Sequence, residues 1–164
     1  MRTVVFLLIT FFSTLTVSAQ NIFPVKLDNC KTDKFCMDCG DSKASYDEDE
    51  FKNLLKDLSE NLNLKGIKGS VKFQVLVDSH GRGCVLSHTD QSKSVISKKI
   101  TESLNKFNEW IPAVTDGKKE EKVSITLLFT VNENTITGKI ERVDMDSFMN
   151  SFDHPTNPEI YNKE

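Results

Sequence analysis

Four cysteines are the residues of this chain whose type and spacing could do chemistry. Cys30, Cys36 and Cys39 lie together in the segment DNCKTDKFCMDCGDSK, and Cys84 is the fourth. In an oxidising compartment an even number of cysteines predicts disulfides, and four cysteines allow three pairings. A bridge from this segment to Cys84 would close a loop of 45 to 54 residues and contribute about 3 to 4 kcal/mol. The cysteines are therefore predicted to tie an N-terminal arm onto a domain.

Two other uses of these cysteines are open. Cys36-Met37-Asp38-Cys39 has the C-x-x-C spacing of redox proteins, in which a helix N-terminus lowers the pKa of the first thiol. No apolar strand precedes this motif, and Gly40 follows it, which disfavours a redox site. Zinc would need a further ligand such as Cys84 or His88, both distant in the sequence. Disulfides are the favoured interpretation, and neither a metal nor a cofactor is predicted.

The three histidines do not suggest an active site. His80 falls in a predicted turn, His88 in a short predicted strand and His154 in the C-terminal tail. No nucleophile, base or pair of carboxylates accompanies them in a pattern that catalysis requires. We predict that the chain is not an enzyme.

The first twenty residues, MRTVVFLLITFFSTLTVSAQ, predict export. Arg2 precedes an apolar run that ends in Val17-Ser18-Ala19, and these are the features of a secretory signal peptide that is cleaved after Ala19. The run is shorter than the roughly 20 residues that span a bilayer. An uncleaved membrane anchor is the alternative interpretation of residues 1–19.

Length and charge narrow the class of protein further. A chain of 164 residues predicts one domain, and a net charge of −3 gives no electrostatic reason to expect a nucleic acid partner. We divide the exported part into a cysteine-containing arm (20–46), an α+β domain (47–143) and a C-terminal tail (144–164). The tail has little periodicity and is predicted to be mobile.

Two segments of the domain have helical periodicity. The first runs from about Asp47 to Leu64, begins with four acidic residues that suit a helix N-terminus, and stops at Gly66. The second runs from about Lys93 to Glu109. Their apolar stripes are predicted to face the core: Phe51, Leu54, Leu55, Leu58 and Leu62 in the first, and Ile96, Ile100, Leu104 and Phe107 in the second.

Strand signals surround the second helix. Residues 71–77 alternate between apolar and polar, the turn DSHG follows, and residues 84–88 return as a short strand. After the second helix, the segment WIPAVTDGKKEEKVSITLLFTV leads into a long alternating strand from Val123 to Val131. Residues 135–143 are predicted to form a further strand that folds back.

This order of elements resembles the C-terminal domain of TonB, the periplasmic energy transducer of Gram-negative bacteria. Five features of residues 50–131 carry the resemblance, and they are Gly66, the strand GSVKFQVLVD, the pair Gly81-Arg82, the segment WIPA, and Asp116-Gly117-Lys118 before the last long strand. The resemblance implies an α+β fold in which two helices pack on one face of a three- to four-stranded antiparallel sheet. It also places the protein in the periplasm.

In that family the last long strand offers its free edge to an extended segment of an outer-membrane transporter, which is β-strand addition. The matching candidates here are Val123, Ser124, Ile125, Thr126, Leu127, Leu128, Phe129, Thr130 and Val131. Three features differ from an energy transducer: the signal is predicted to be cleaved, only Pro24 stands where a proline-rich spacer would be, and the arm carries cysteines. If residues 135–143 pair with the candidate strand, its edge is occupied.

The resemblance implies a periplasmic binding module that engages an extended segment of a protein partner, with a TonB-dependent outer-membrane receptor as the candidate partner. The alternative is a TonB-type transport component that keeps its signal as a membrane anchor. Two copies could also pair through the same edge as a homodimer.

Overall fold

A computed structural model describes residues 21–142 of the chain. The signal sequence 1–19, its alternative as an anchor, and the tail 144–164 lie outside these described residues. Two helices occupy Glu48–Asn61 (α1) and Val95–Lys106 (α2), and neither is long and apolar enough to cross a membrane. The strands in chain order are Val25–Lys26 (β1), Cys36–Met37 (β2), Ser45–Tyr46 (β3), Lys68–Asp78 (β4), Gly83–His88 (β5), Trp110–Ile111 (β6), Val114–Thr115 (β7), Lys118–Lys119 (β8), Lys122–Asn132 (β9) and Thr135–Glu141 (β10).

Local capping fixes where the two helices begin. Asp47 caps α1, because its carboxylate accepts hydrogen bonds from the backbone N–H groups of Asp49 and Glu50. Ser94 caps α2 in the same way by accepting from Ser97 N. Both helices end about three residues before the predicted ends, since the chain becomes extended at their C-caps.

Pairing of β4 with β9 forms the centre of the sheet. The two strands are antiparallel and in register from Lys68 opposite Asn132 to Asp78 opposite Lys122. Around this pair the strand order is β1-β5-β4-β9-β10, and β2 pairs in parallel with the start of β9. Two further strand pairs, β3 with β6 and β7 with β8, lie outside this sheet.

The predicted fold, two helices on one face of a three- to four-stranded antiparallel sheet, is wrong. Within residues 21–142 the sheet is mixed, has six strands, and is curled like half a barrel. The strands beyond the prediction come from the arm, whose sequence has no strand signal and which supplies β1 and β2. The strand predicted at residues 135–143 is present as β10 and folds back onto β9. Strands of two residues have no periodicity that a sequence could reveal.

The core lies between the sheet and the two helices. It contains the inward residues of β4 and β9 together with Phe51, Leu58, Ile100 and Leu104 from the helices. The other face of the sheet is also buried in part, because Gln74, Ser87 and Ser124 are each no more than 1% exposed. Residues 22 and 23 of the arm reach this second face through hydrogen bonds to Gln74 and Ser87.

Trp110 packs against a glycine that has no room for a side chain. A Cβ atom added at Gly83 would lie 2.1 Å from Trp110 Nε1, and Trp110 itself is buried at 3% exposure. Phe107 and Tyr46 contact the indole edge to face. The close approach of indole and backbone is therefore a requirement of the fold.

We expect Gly83→Ala to destabilise the protein by about 1 to 3 kcal/mol, because the methyl group must displace a buried ring. Urea unfolding measures the loss. Combining it with Trp110→Phe, which removes the nitrogen-bearing ring, should give a smaller loss than the sum of the two single variants. If the loss in free energy of unfolding of the double variant equals the sum of the two single losses, the two residues do not interact and the expectation is wrong.

Candidate functional site

The four cysteines form two disulfides of different reach. Cys30 is bonded to Cys84, 54 residues away, and Cys36 is bonded to Cys39, three residues away. The first bond fastens the arm to β5. The second closes the C-x-x-C turn, whose Cys36 lies on β2 opposite Val123.

Glu120 is a neighbour of the C-x-x-C turn that the sequence analysis did not identify. One carboxylate oxygen of Glu120 and the sulfur atoms of Cys36 and Cys39 lie within 4.8 Å of one another. Cys84 and His88, the two residues that the sequence offered as a further zinc ligand, lie elsewhere. Cys84 is bonded to Cys30, and His88 faces α2. Glu120 belongs to the charged run of residues 118–122, and only the folded chain brings it to the cysteines.

The candidate partner-binding strand lies inside the sheet. All of Val123 to Val131 belong to β9, which pairs with β4 along its whole length. On the other side, β10 pairs with residues 126–132, and β2 pairs with Val123 and Ser124. A partner strand could pair with β9 only by displacing one of these two strands.

The outer edge of β10 is protected by side chains. Ser59 Oγ accepts a hydrogen bond from Ile136 N at 2.9 Å, and the Tyr46 hydroxyl accepts one from the backbone of Ile140. Helix α1 lies so close that a Cβ atom at Gly138 would meet Phe51 and Leu55 at 3.1 to 3.2 Å. Such cover is a common protection of sheet edges.

The opposite edge of the sheet, at β1, borders a cleft. Leu27 N donates to Leu86 O, so the alternation of an antiparallel pair directs the N–H and C=O of Lys26 away from β5. Between β1 and α2 lies a cleft of about 410 Å3. Its lining includes Val25, Leu27, His88, Ser97, Lys98 and Thr101.

His88 is the polar group at the base of this cleft. Its side chain is 5% exposed, contacts the Phe73 ring at a centroid distance of 5.5 Å, and has no hydrogen-bond partner at Nδ1 among residues 21–142. Burial lowers the pKa of His88 below 6.5, while Asp90 raises it and Lys93 lowers it further. At neutral pH the ring is therefore uncharged and retains one free polar nitrogen.

A buried polar row on the other face of the sheet has a structural role. Gln74 Oε1 accepts hydrogen bonds from Ser87 Oγ at 2.7 Å and from Ile22 N at 3.0 Å, and its Nε2 donates to Ser124 Oγ at 3.0 Å. These bonds cross three strands and hold the first described residues of the arm. We assign Gln74 to anchoring the arm rather than to a ligand.

The histidines do not come together. His80 lies in the exposed turn after β4, where its Nδ1 is 3.4 Å from Ser79 Oγ, and His88 lies under α2. His154 is outside the described residues. The prediction that the chain is not an enzyme stays a prediction.

Comparisons of the chain with protein-family models, with curated proteins and with solved structures give no match. The resemblance to the TonB C-terminal domain therefore stays a prediction from the sequence.

The two disulfides should differ in their contribution to stability. The stabilisation by a disulfide grows with the length of the loop that it closes. Replacing Cys30 and Cys84 by serine should therefore lower the free energy of unfolding by about 4 kcal/mol, and the same replacement of Cys36 and Cys39 should lower it by about 2 kcal/mol. Urea unfolding of the two double variants measures both values. An equal loss in the two variants would contradict this account.

His88 should make stability depend on pH. Because its pKa is lowered in the folded chain, the unfolded chain binds the proton more tightly, and the free energy of unfolding should fall as the pH drops below about 6.5. The decline ends once the pH is below the pKa of the folded state. His88→Gln should lose this component between pH 7 and 5, whereas His80→Gln should retain it; unfolding curves at each pH make the comparison.

Proposed function

We propose that this chain is an exported protein-interaction module that binds an extended segment of a partner by β-strand addition at the edge formed by β1. The observation that carries the proposal is the combination of outward-facing backbone groups on β1 with the adjoining cleft beneath α2.

Of the edges considered, β1 is the most suitable. Strand β9 is paired on both sides, and the N–H groups of Ile136 and Ile140 on β10 already have side-chain acceptors. The outward N–H and C=O of Lys26 have no such acceptor or donor among the described residues. An added strand would satisfy them by the ordinary antiparallel or parallel pattern.

The cleft supplies a pocket for side chains of the added strand. Val25 and His88 are opposite each other in the pairing of β1 with β5, so their side chains share the face that α2 covers. Side chains of a strand alternate between faces, so every second residue of a partner strand would enter the cleft. The lining favours an apolar side chain, with the largely buried His88 at the base.

Charge around the cleft favours an acidic partner segment. Lys93 and Lys98 line it, whereas its one carboxylate, on Glu102, pairs with Lys99 at 3.1 Å. We therefore propose an extended segment with an apolar residue flanked by acidic residues.

The resemblance to the TonB C-terminal domain suggests where such a partner would be found. A TonB-dependent outer-membrane receptor remains the candidate partner. Export by the predicted signal peptide would bring this chain into the periplasmic space, which such a receptor faces. Disulfides of the kind described above are compatible with that oxidising compartment.

The proposal is tested at the backbone of Lys26. Lys26→Pro removes the outward N–H without removing a bond to β5, because that N–H does not face β5. Residues 20–164 would be immobilised and exposed to outer-membrane extract, and captured receptors identified by mass spectrometry. We expect Lys26→Pro to bind its receptor about tenfold more weakly, since it lacks one backbone hydrogen bond and its ring crowds the edge.

Lys26→Ala is the matched control, because it removes the same charge and keeps the N–H. A second pair of variants tests the cleft: Thr101→Trp fills it and should abolish binding, whereas Val95→Trp, at a position 69% exposed on the same helix, should not. Equal binding by Lys26→Pro and Lys26→Ala would contradict strand addition at β1.

A further inference from the structure

We propose that Cys36, Cys39 and Glu120 form a binding site for a divalent cation of the zinc type, which becomes available when the Cys36–Cys39 disulfide is reduced. The site is separate from the β1 cleft, and this inference does not depend on the proposed function.

The three side chains are close enough to share one ion. Their candidate ligand atoms lie within 4.8 Å of one another. With Zn–S bonds of about 2.3 Å and Zn–O bonds of about 2.0 to 2.2 Å, tetrahedral ligand atoms are roughly 3.4 to 3.8 Å apart. The Cα atoms of Cys36 and Cys39 are 5.9 Å apart, so side-chain rotation can bring the two thiolates to that separation.

The backbone around the site is held by bonds other than the disulfide. Cys36 and Met37 pair with β9, and Asp38 N donates to Ser124 O at 2.9 Å. On the opposite side, Glu120 N donates to Ala113 O at 2.9 Å. Reduction would therefore free the thiols without releasing the turn that carries them.

Glu120 is available as a ligand. Within residues 21–142 its carboxylate takes part in no ion pair or hydrogen bond, and its side chain is half-buried. Nearby cations have other partners, since Lys122 pairs with Asp33 and Arg142 pairs with Asp38. A half-buried carboxylate without a partner beside two sulfur atoms is the feature that points to a cation.

The chemistry of the donor set selects the class of ion. Two thiolates and one carboxylate favour zinc and similar borderline cations over magnesium or calcium. Three protein ligands leave a fourth tetrahedral position for water. The fold excludes the sequence-based alternative in which Cys84 or His88 completes the site, because Cys84 is bonded to Cys30 and His88 lies beneath α2.

Opening the site requires a two-electron reductant, which we assign to the dithiol class. A dithiol transfers two electrons and two protons to the Cys36–Cys39 bond, which breaks into two thiols, and the reductant becomes a disulfide. The cation then binds the two sulfur atoms as thiolates, and the two thiol protons pass to water. Both sulfur-bearing residues are half-buried, so a reductant can reach them.

The test uses residues 20–164 and cobalt(II) as a spectroscopic substitute for zinc. The protein would be reduced with a dithiol, desalted without oxygen, and assayed by alkylation and mass spectrometry to show that Cys36 and Cys39 are free. We expect the reduced protein to bind one equivalent of cobalt with a thiolate-to-cobalt charge-transfer band. The oxidised protein should show no such band, and added zinc should displace the cobalt.

Glu120→Gln should weaken cobalt binding at least tenfold, by analogy with the loss of groups that support metal sites. Glu121→Gln is the matched control, because that neighbouring carboxylate is exposed and lies outside the cluster. Cys36→Ser combined with Cys39→Ser should abolish the band, with circular dichroism to show that the variant is folded. Reduced protein without the band, or equal affinity in Glu120→Gln and Glu121→Gln, would overturn the proposal.

Discussion

The antiparallel pairing of β4 with β9 is the interaction on which the rest of the structure depends. Each strand carries one apolar face, and together they present the surface that both helices cover. The two strands pair along their full length, and the other strands of the sheet are built outward from them. Strand β5 pairs with β4, β10 and β2 pair with β9, and β1 pairs with β5. The β1 cleft lies two strands away on one side, and the C-x-x-C turn lies directly against β9 on the other.

The arm shows how a chain can add to a sheet without a periodic sequence. It is held by partly buried hydrogen bonds to Gln74 and Ser87, by one long-range disulfide, and by an ion pair between Lys122 and the exposed Asp33. Gln74 and Ser87 are buried, and burial of such polar groups is favourable only when they have hydrogen-bond partners. Two of those partners are backbone N–H groups of the arm, so these bonds specify its path.

The elements with long periodic patterns could be predicted from the sequence, and those without could not. Both helices, β4 and β9 were predicted within a few residues, because their apolar positions repeat over several turns or alternations. The strands of the arm were missed, since two residues set no period. The sequence also gave no reason to connect Glu120 with Cys36, because their proximity depends on the parallel pairing of β2 with β9.

The path of the arm also has a consequence for the order of folding. Its contacts join residues far apart in the chain, such as Asp33 with Lys122, 89 positions later. Contacts of such separation slow folding, because the entropy of closing long loops is lost before the contacts form. The arm is among the first described segments to be synthesised, yet β2 cannot pair until β9 exists. The segment that carries three of the four cysteines must therefore wait for the rest of the domain, and its thiols stay open to oxidation in other pairings until the sheet is complete.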